Sequence, residues 1–240
     1  MSLSNDPVDK LFIFVHIPKT AGTTLSRIIE DQYKGNEFWK YSYDYQVLIE
    51  KANKMKCVIG HFPFGVHQHI KRPYTYLTML RDPVERLISL YYFWSEQAFG
   101  NVQNVSFEEF IDSPIYDANV SNGQTLYLAG GLTPDLEKAK ENLINHFAVP
   151  GIMEMFNESL FFIKNECGWN INHYQLANKG KTRPAEIPFS KGVLELVKSK
   201  NELDLELYQF AKNLLETKIQ QLNSDQTIEF NKFINQVRQH

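Results

Sequence analysis

Short apolar runs recur along the chain and are separated by stretches with helical periodicity. Residues 11–17 are almost continuously apolar and rich in β-branched and aromatic side chains, a pattern typical of a strand covered on both faces of a parallel sheet. Three later runs share this character and lie at residues 56–60, 74–80 and 147–152. We therefore predict four strands at these positions.

Helical periodicity follows the first and third of these strands directly. Residues 24–33 place apolar side chains on one face and charged side chains on the other. Asp82 and Pro83 form an N-cap followed by a proline at the first helical position, so a helix through Trp94 is predicted there. Further helices are predicted at residues 107–111, 125–128, 135–146, 157–166, 193–199 and 204–221, with a polar loop at residues 170–188.

Strands that alternate with helices indicate an α/β fold. We predict a single domain over residues 1–240, with a mainly parallel central sheet flanked by helices. The core is expected within residues 11–215, and the tail at 225–240 is left open between a docked helix, a partner contact and a frayed end. Ligands of such sheets bind at the carboxyl ends of the strands, so candidate chemistry is sought there.

Composition narrows the class of protein. The 240 residues include 43% hydrophobic residues, ample material for a buried core, and the 13% aromatic content argues against intrinsic disorder. The net charge of −3 provides no whole-chain field for nucleic acid or anionic membranes, so neither partner is expected. The sequence shows no signal peptide and no apolar run of membrane-spanning length, and a cytoplasmic location is expected.

The two cysteines, Cys57 and Cys167, lie far apart and lack the close spacing of a zinc site or a redox pair. Two reduced thiols are favoured over one long-range disulfide. The histidines and acidic residues show no metal-ligand spacing either, so no metal is expected.

The segment at residues 16–24 joins the first strand to its helix and is the first candidate anion site. Backbone N–H groups and the helix dipole favour an anion at a helix start. Lys19 adds a mobile positive charge, and Gly22 allows close approach of the backbone. Hydroxyl groups are supplied by Thr20, Thr23 and Thr24. The Lys-Thr pair precedes the glycine, unlike GxxxxGK[ST], which weakens an ordinary nucleoside-triphosphate interpretation. A plain capped helix start with a solvated lysine is the alternative.

The end of the strand at residues 74–80 is the second candidate anion site. Arg81 follows this strand, where its guanidinium fork suits a phosphate, and Ser89 lies eight residues later on the next helix. Arg86 is expected at the surface or in an ion pair. The alternative for Arg81 is a purely structural ion pair. Two anion sites at strand ends imply a ligand with two separated phosphate-like groups.

These two segments resemble the sulfotransferases that use 3′-phosphoadenosine 5′-phosphosulfate (PAPS). Residues 16–25, HIPKTAGTTL, are similar to the 5′-phosphosulfate loop of that family, and Arg81 with Ser89 is similar to its 3′-phosphate motif. The pattern resembles the carbohydrate branch, particularly heparan sulfate 2-O-sulfotransferases and their bacterial relatives. The resemblance implies a P-loop nucleotide-hydrolase-like sulfotransferase fold, with PAPS as donor and adenosine 3′,5′-bisphosphate as product.

Weaker matches extend the resemblance over most of residues 11–215. They lie at residues 60–62, 122–125, 128–130, 178–184 and 201–208. The chain departs from Golgi members in lacking their N-terminal membrane anchor, which indicates a bacterial or soluble relative. It also has Leu126 where relatives often carry an arginine after Gln-Thr, so substrate specificity does not transfer.

The resemblance implies catalytic roles for two residues. His61 follows the second strand and is expected to act as general base, because an ordinary histidine pKa of about 6.5 suits proton removal at neutral pH. His67 and His69 in the same segment remain alternatives. Lys19 is expected to neutralise charge on the leaving phosphate and on the transferred sulfuryl group.

Binding roles are implied in the same way. The 5′ end of the nucleotide is assigned to Lys19, Thr20, Ala21, Gly22, Thr23 and Thr24, and the 3′-phosphate to Arg81 and Ser89. A second clamp over the 3′-phosphate is expected from Lys179, Gly180, Lys181 and Arg183, with a solvated basic loop as the alternative. Gln124 and Thr125 are expected on the acceptor side.

Sulfuryl transfer to a carbohydrate or small-molecule hydroxyl is thus the predicted function. An atypical phosphate-loop phosphotransferase and a non-catalytic nucleotide-binding module are the alternatives, and the oligomeric state is not predicted. The aromatic residues at positions 38, 39, 41, 43 and 45 are interpreted as packing, with sugar stacking as the alternative. The acidic stretch at 204–206 is interpreted as a solvated helix face.

Overall fold

The computed structural model describes residues 10–41, 44–131, 133–177 and 189–237. Within them, five strands form one parallel sheet in the order β2-β3-β1-β4-β5. Their bounds are β1 Leu11–Val15, β2 Phe38–Lys40, β3 Cys57–Gly60, β4 Tyr74–Leu80 and β5 Phe147–Ile152. The predicted α/β class with a parallel central sheet is confirmed, and so are the four predicted strands.

Eleven α-helices are found in the described part of the chain. They are α1 Gly22–Gln32, α2 Tyr45–Ala52, α3 Pro83–Glu96, α4 Phe107–Asp112, α5 Asp117–Val120, α6 Gly123–Ala129, α7 Leu136–His146, α8 Phe156–Cys167, α9 Lys191–Ser199, α10 Glu202–Gln220 and α11 Ser224–Val237. The predicted start of α3 is confirmed in detail: the Asp82 carboxylate accepts a hydrogen bond from the Glu85 amide, and Pro83 occupies the first turn.

The central position of β1 explains its sequence. It pairs with β3 on one side and β4 on the other, and four of its five residues are fully buried. A continuous apolar run is what a strand without a solvated face requires. A second apolar cluster lies apart from the sheet and joins α3 to α4 and α9 through Leu87, Phe110 and Val197.

Among the described strands and α-helices, β2, α2 and the four-residue α5 were not predicted. The strand β2 has only three residues, half-buried or exposed, at the edge of the sheet, so its apolar signal is weak. The helix α2 begins after Asp44, whose carboxylate accepts hydrogen bonds from the Gln46 and Val47 amides. Asp44 is a good N-cap residue, and this signal was present in the sequence.

One interpretation of a charged residue was wrong, and another is confirmed in its ion-pair alternative. Asp204 is fully buried instead of lying on a solvated helix face, because it accepts hydrogen bonds from the start of α6. Arg86 is only 2% exposed, so it is not a surface residue, although it does pair with Asp204 at 3.9 Å.

The C-terminal tail is a docked helix as far as Val237. α11 packs on α8, where the Phe233 ring lies 5.9 Å from the Phe161 ring. Both cysteines are free thiols. Among the described residues, no helix combines the length and apolarity that crossing a bilayer requires.

Candidate active site

Three strand ends meet at the carboxyl edge of the sheet. Because β1 lies between β3 and β4, the residues that follow these strands are neighbours: His16 after β1, His61 after β3 and Arg81 after β4. The connection that follows β1 leads to one side of the sheet, to β2, whereas the connection that follows β3 crosses β1 and leads to β4 on the other side. Such a switch point is where open parallel sheets form their ligand crevices.

The loop between β1 and α1 has an uncommon backbone. Lys19 and Ala21 adopt positive φ values of 69° and 66°, a left-handed conformation that non-glycine residues rarely take and that occurs most often at functional sites. The buried Thr20 hydroxyl stabilises this turn by donating to the Ile17 carbonyl at 2.8 Å.

Gly22 is required by a close approach at the start of α1. A Cβ atom there would lie 2.0 Å from Cδ2 of His16, so the helix start rests directly on the His16 ring. The His16 imidazole is also 4.3 Å from the His61 ring, measured between centroids. His16 therefore links the anion loop to the predicted base.

Lys19 and Arg81 are in contact. The Arg81 Nη1 donates to the Lys19 carbonyl at 3.2 Å, and the Lys19 ammonium lies 3.9 Å from the centroid of the Phe93 ring. Burial and the neighbouring Arg81 lower the pKa of the Lys19 ammonium. The repulsion from Arg81 indicates that both positive charges lie in one region, which favours an anion there.

One face of α3 carries the residues around these cations. Glu85 holds Arg81 through a 3.2 Å ion pair, and Phe93 underlies Lys19. Ser89 lies four residues from each of them, and residues four apart share a helix face. Ser89 thus shares the face of α3 that carries the partners of Arg81 and Lys19, and its role at the 3′-phosphate stays a prediction.

His61 has the tautomer that a general base needs. Its Nδ1 lies 2.5 Å from the His16 carbonyl oxygen, and a carbonyl only accepts, so Nδ1 carries the proton and Nε2 keeps its lone pair. The residue is exposed to solvent, yet desolvation by surrounding protein lowers the pKa of His61 below 6.5, opposed in part by this hydrogen bond. At neutral pH the imidazole is therefore uncharged.

The pKa of His16 is lowered further, to about 3, chiefly by burial and then by the neighbouring His61 and Lys19. Its imidazole is therefore neutral as well, and it adds no positive charge next to the base. This pair of neutral imidazoles stands beside the two cations.

A cavity of about 380 Å³ opens beside His61. Its walls come from α1, the end of β3 and the segment after β2, and they include His16, Arg27, Glu30, Lys40, Tyr41 and His61. Glu30 and Lys40 form a 2.6 Å ion pair across it. The cavity therefore offers polar, charged and aromatic contacts next to a free imidazole nitrogen.

Comparison with known proteins identifies the family of this fold and site. The model of the sulfotransferase family matches residues 6–211. The chain belongs to the sulfotransferase family. A heparin sulfate O-sulfotransferase from Drosophila melanogaster is 23% identical over 248 residues, which cover 83% of this chain and 70% of that protein. Both matches agree with the resemblance to the carbohydrate branch.

The structure brings the two predicted phosphate motifs of this sulfotransferase together, along with His61. Thr23 lines the cavity, and the Thr24 hydroxyl accepts a hydrogen bond from the Ala177 amide at 3.1 Å. The predicted clamp formed by Lys179, Gly180, Lys181 and Arg183 lies outside the described residues.

Other predicted residues of this sulfotransferase stand apart from the cavity. His67 packs against Tyr74 and His146, near the amino ends of β4 and β5, and His69 does not line the cavity. Gln124 and Thr125 are buried and hydrogen-bond to Arg81 and Asp204. Their predicted contact with the acceptor stays a prediction.

Sequence reasoning missed two side chains of the site. Phe93 was not singled out from the sequence, yet it is 39% exposed and contacts Lys19; its spacing of four residues from Ser89 was the available signal. Tyr41 belongs to the aromatic group interpreted as packing, and it does pack against the core, but it also lines the cavity.

Proposed function

We propose that this sulfotransferase transfers the sulfuryl group of PAPS to a hydroxyl group of a carbohydrate or small-molecule acceptor. The proposal is supported mainly by one observation: the ends of β1, β3 and β4 bring Lys19, His61 and Arg81 to one place. A donor with charged groups at both ends would meet an acceptor base there.

The residues present suit such a donor. The left-handed turn at Lys19 and Ala21, followed by the start of α1 at Gly22, presents backbone N–H groups and the helix dipole to the 5′ end. Arg81 and Ser89 are assigned to the 3′-phosphate, and the basic residues 179–183 would close over it. When bound, PAPS supplies the sulfuryl group, and adenosine 3′,5′-bisphosphate remains.

His61 would remove the proton of the acceptor hydroxyl through Nε2. The His16 carbonyl holds Nδ1–H, so it fixes both the tautomer and the direction of the ring. The lowered pKa keeps the imidazole unprotonated at neutral pH. As Nε2 takes the proton, the same carbonyl stabilises the imidazolium that forms.

Lys19 would stabilise negative charge at the bond that breaks. Its ammonium is held by the Phe93 ring, and the Arg81 guanidinium donates to the Lys19 carbonyl. A preorganised donor at such a position contributes about 10²–10³ to the rate. Water exclusion by the half-buried surroundings of Lys19 strengthens this interaction.

The acceptor would enter the cavity beside His61. Tyr41 provides an aromatic face, and the Glu30–Lys40 pair with Arg27 provides hydrogen-bonding groups, which together suit a hydroxylated ligand. The named heparin sulfate relative supports a carbohydrate.

Transfer of radiolabel from [³⁵S]PAPS to a panel of oligosaccharides, monosaccharides and phenols tests this function. We expect the wild type to label at least one acceptor and His61→Ala to label none, while both bind adenosine 3′,5′-bisphosphate with nearly the same affinity. His69→Ala is the matched control, because this exposed histidine lies outside the cavity, and it should retain turnover.

Full activity of His61→Ala would refute the base assignment. A wild type that binds the nucleotide but labels no acceptor would favour the non-catalytic module. Stabilisation by ATP with magnesium in preference to adenosine 3′,5′-bisphosphate would favour the phosphotransferase.

A further inference from the structure

The backbone of Arg81 is held by one side chain on both of its polar groups. The Arg81 amide donates to Oε1 of Gln124 at 2.9 Å, and Nε2 of Gln124 donates to the Arg81 carbonyl at 2.9 Å. Arg81 is the first residue beyond β4. The Gln124 side-chain amide therefore binds the backbone at the point where the hydrogen bonds between strands end. Gln124 is only 1% exposed, and its two bonds fix the orientation of its amide.

Gln124 is in turn fixed by Asp204. The buried Asp204 carboxylate accepts a hydrogen bond from the backbone N–H of Gln124 at 3.0 Å. It also accepts from the backbone N–H and the hydroxyl of Thr125, at 2.7 Å each. These bonds satisfy the free N–H groups in the first turn of α6. A carboxylate on α10 thereby sets where α6 begins, and hence where Gln124 stands.

The connection between α6 and α10 is reciprocal. Oδ1 of Asn122, just before α6, accepts from the amides of Leu203 and Asp204 in the first turn of α10. Oδ1 of Asn201, just before α10, accepts from the Asn122 amide. Each helix start caps the other, so the two helices cannot shift independently without breaking several buried hydrogen bonds.

Arg86 balances the buried charge of Asp204. Its Nη2 lies 3.9 Å from the carboxylate and donates to the Asn119 carbonyl at 2.9 Å. A buried ion pair is costly to desolvate and is often no more stabilising than an apolar replacement. Its presence five residues after Arg81, in the first turns of α3, is therefore better explained by the geometry that it imposes than by stability alone.

We propose that Gln124 and Asp204 are positioning residues for recognition of the 3′-phosphate. Asp204 orders the start of α6, α6 presents Gln124, and Gln124 fixes the backbone from which the Arg81 guanidinium projects. This inference rests on the proposed function, in which Arg81 binds the 3′-phosphate. It assigns Gln124 to the nucleotide side of the site instead of the acceptor side.

The test is the ratio of the dissociation constant for adenosine 3′,5′-bisphosphate to that for adenosine 5′-monophosphate, both measured by titration calorimetry. Gln124→Met keeps the size of the side chain and loses both bonds to Arg81. We expect this variant to bind the bisphosphate about tenfold more weakly, which is the effect of impairing one charge-assisted hydrogen bond. Its dissociation constant for the monophosphate should change less than about twofold. Asp204→Asn, which keeps the shape and removes the charge, should shift the ratio in the same direction.

Asn142→Leu is the matched control. The Asn142 amide is buried and donates to the Leu128 carbonyl at 2.8 Å, near the opposite end of α6. This variant should lower the free energy of unfolding and leave the affinity ratio unchanged, because it does not touch the Gln124 end of the helix.

The outcomes separate the two proposals. A wild type that does not prefer the bisphosphate would contradict the proposed function itself. A wild type with that preference, but with an unchanged ratio in Gln124→Met and Asp204→Asn, would overturn only the positioning role. An equal change of the ratio in Asn142→Leu would also overturn it, by showing that any loosening of α6 has the same effect.

Discussion

At the scale of single residues, the proposed chemistry depends on how two histidines differ. His61 is exposed and donates Nδ1–H to the backbone, so its remaining nitrogen is free to take a proton. His16 is more deeply buried, has a pKa lowered to about 3, and packs between the start of α1 and the His61 ring. Keeping His16 neutral avoids a cation that would hinder protonation of the base.

The pH dependence of turnover follows from the lowered pKa of His61. A general base works in its unprotonated form, so the rate falls as the pH drops through that pKa. We expect kcat/KM to decline as the pH falls, with an inflection below the ordinary histidine value of about 6.5. Initial rates in buffers of constant ionic strength would show this, and an inflection above pH 7 would exclude a desolvated His61 as the base.

At the scale of elements, each βα junction combines a buried strand with a helix start, and that combination is what the sequence could reveal. The apolar run before Lys19 and the Asp-Pro cap after Arg81 are local signals, so β1, α1, β4 and α3 were predictable. The role of Asp204 was not, because its partners in α6 are 79 and 80 residues away in the chain. An acidic residue at a helix start looks like a solvated one until tertiary contacts are known.

The junction between β1 and α1 yields a stability prediction. Gly22→Ala would place a Cβ 2.0 Å from Cδ2 of the His16 ring, which has no room to withdraw between Phe14 and His61. We expect the free energy of unfolding to fall by about 1–3 kcal/mol, the usual effect of overpacking. Urea denaturation would measure it.

The matched control is Gly35→Ala, where no atom lies within 4 Å of the added Cβ and the change should stay within about 0.5 kcal/mol. Adding His16→Ala to Gly22→Ala should recover part of the loss, because the obstructing ring is removed. Purely additive losses in the double variant would mean that the His16 contact is not the cause.

At the scale of the whole molecule, strand order converts distant segments into one site. The order β2-β3-β1-β4-β5 places residues 16–24, His61 and Arg81 at a single edge, although they span more than sixty positions of the sequence. α6 is hydrogen-bonded both to this edge and to α10, so the two helices hold the edge in place. α11 packs on α8 through Phe233. Four of the five strand positions and the phosphate motifs were predictable from local patterns, whereas the cavity beside His61 and the support of Arg81 arise only when the sheet is assembled.

A crystal structure of the protein with adenosine 3′,5′-bisphosphate tests the central claim most directly. We expect the 5′-phosphate to lie within hydrogen-bonding distance of the backbone at residues 19–24 and of the Lys19 ammonium, and the 3′-phosphate to contact Arg81 and Ser89. The 5′-phosphate should then face the cavity in which His61 presents Nε2. A nucleotide bound elsewhere, or with only one of its phosphates at these two strand ends, would contradict the account.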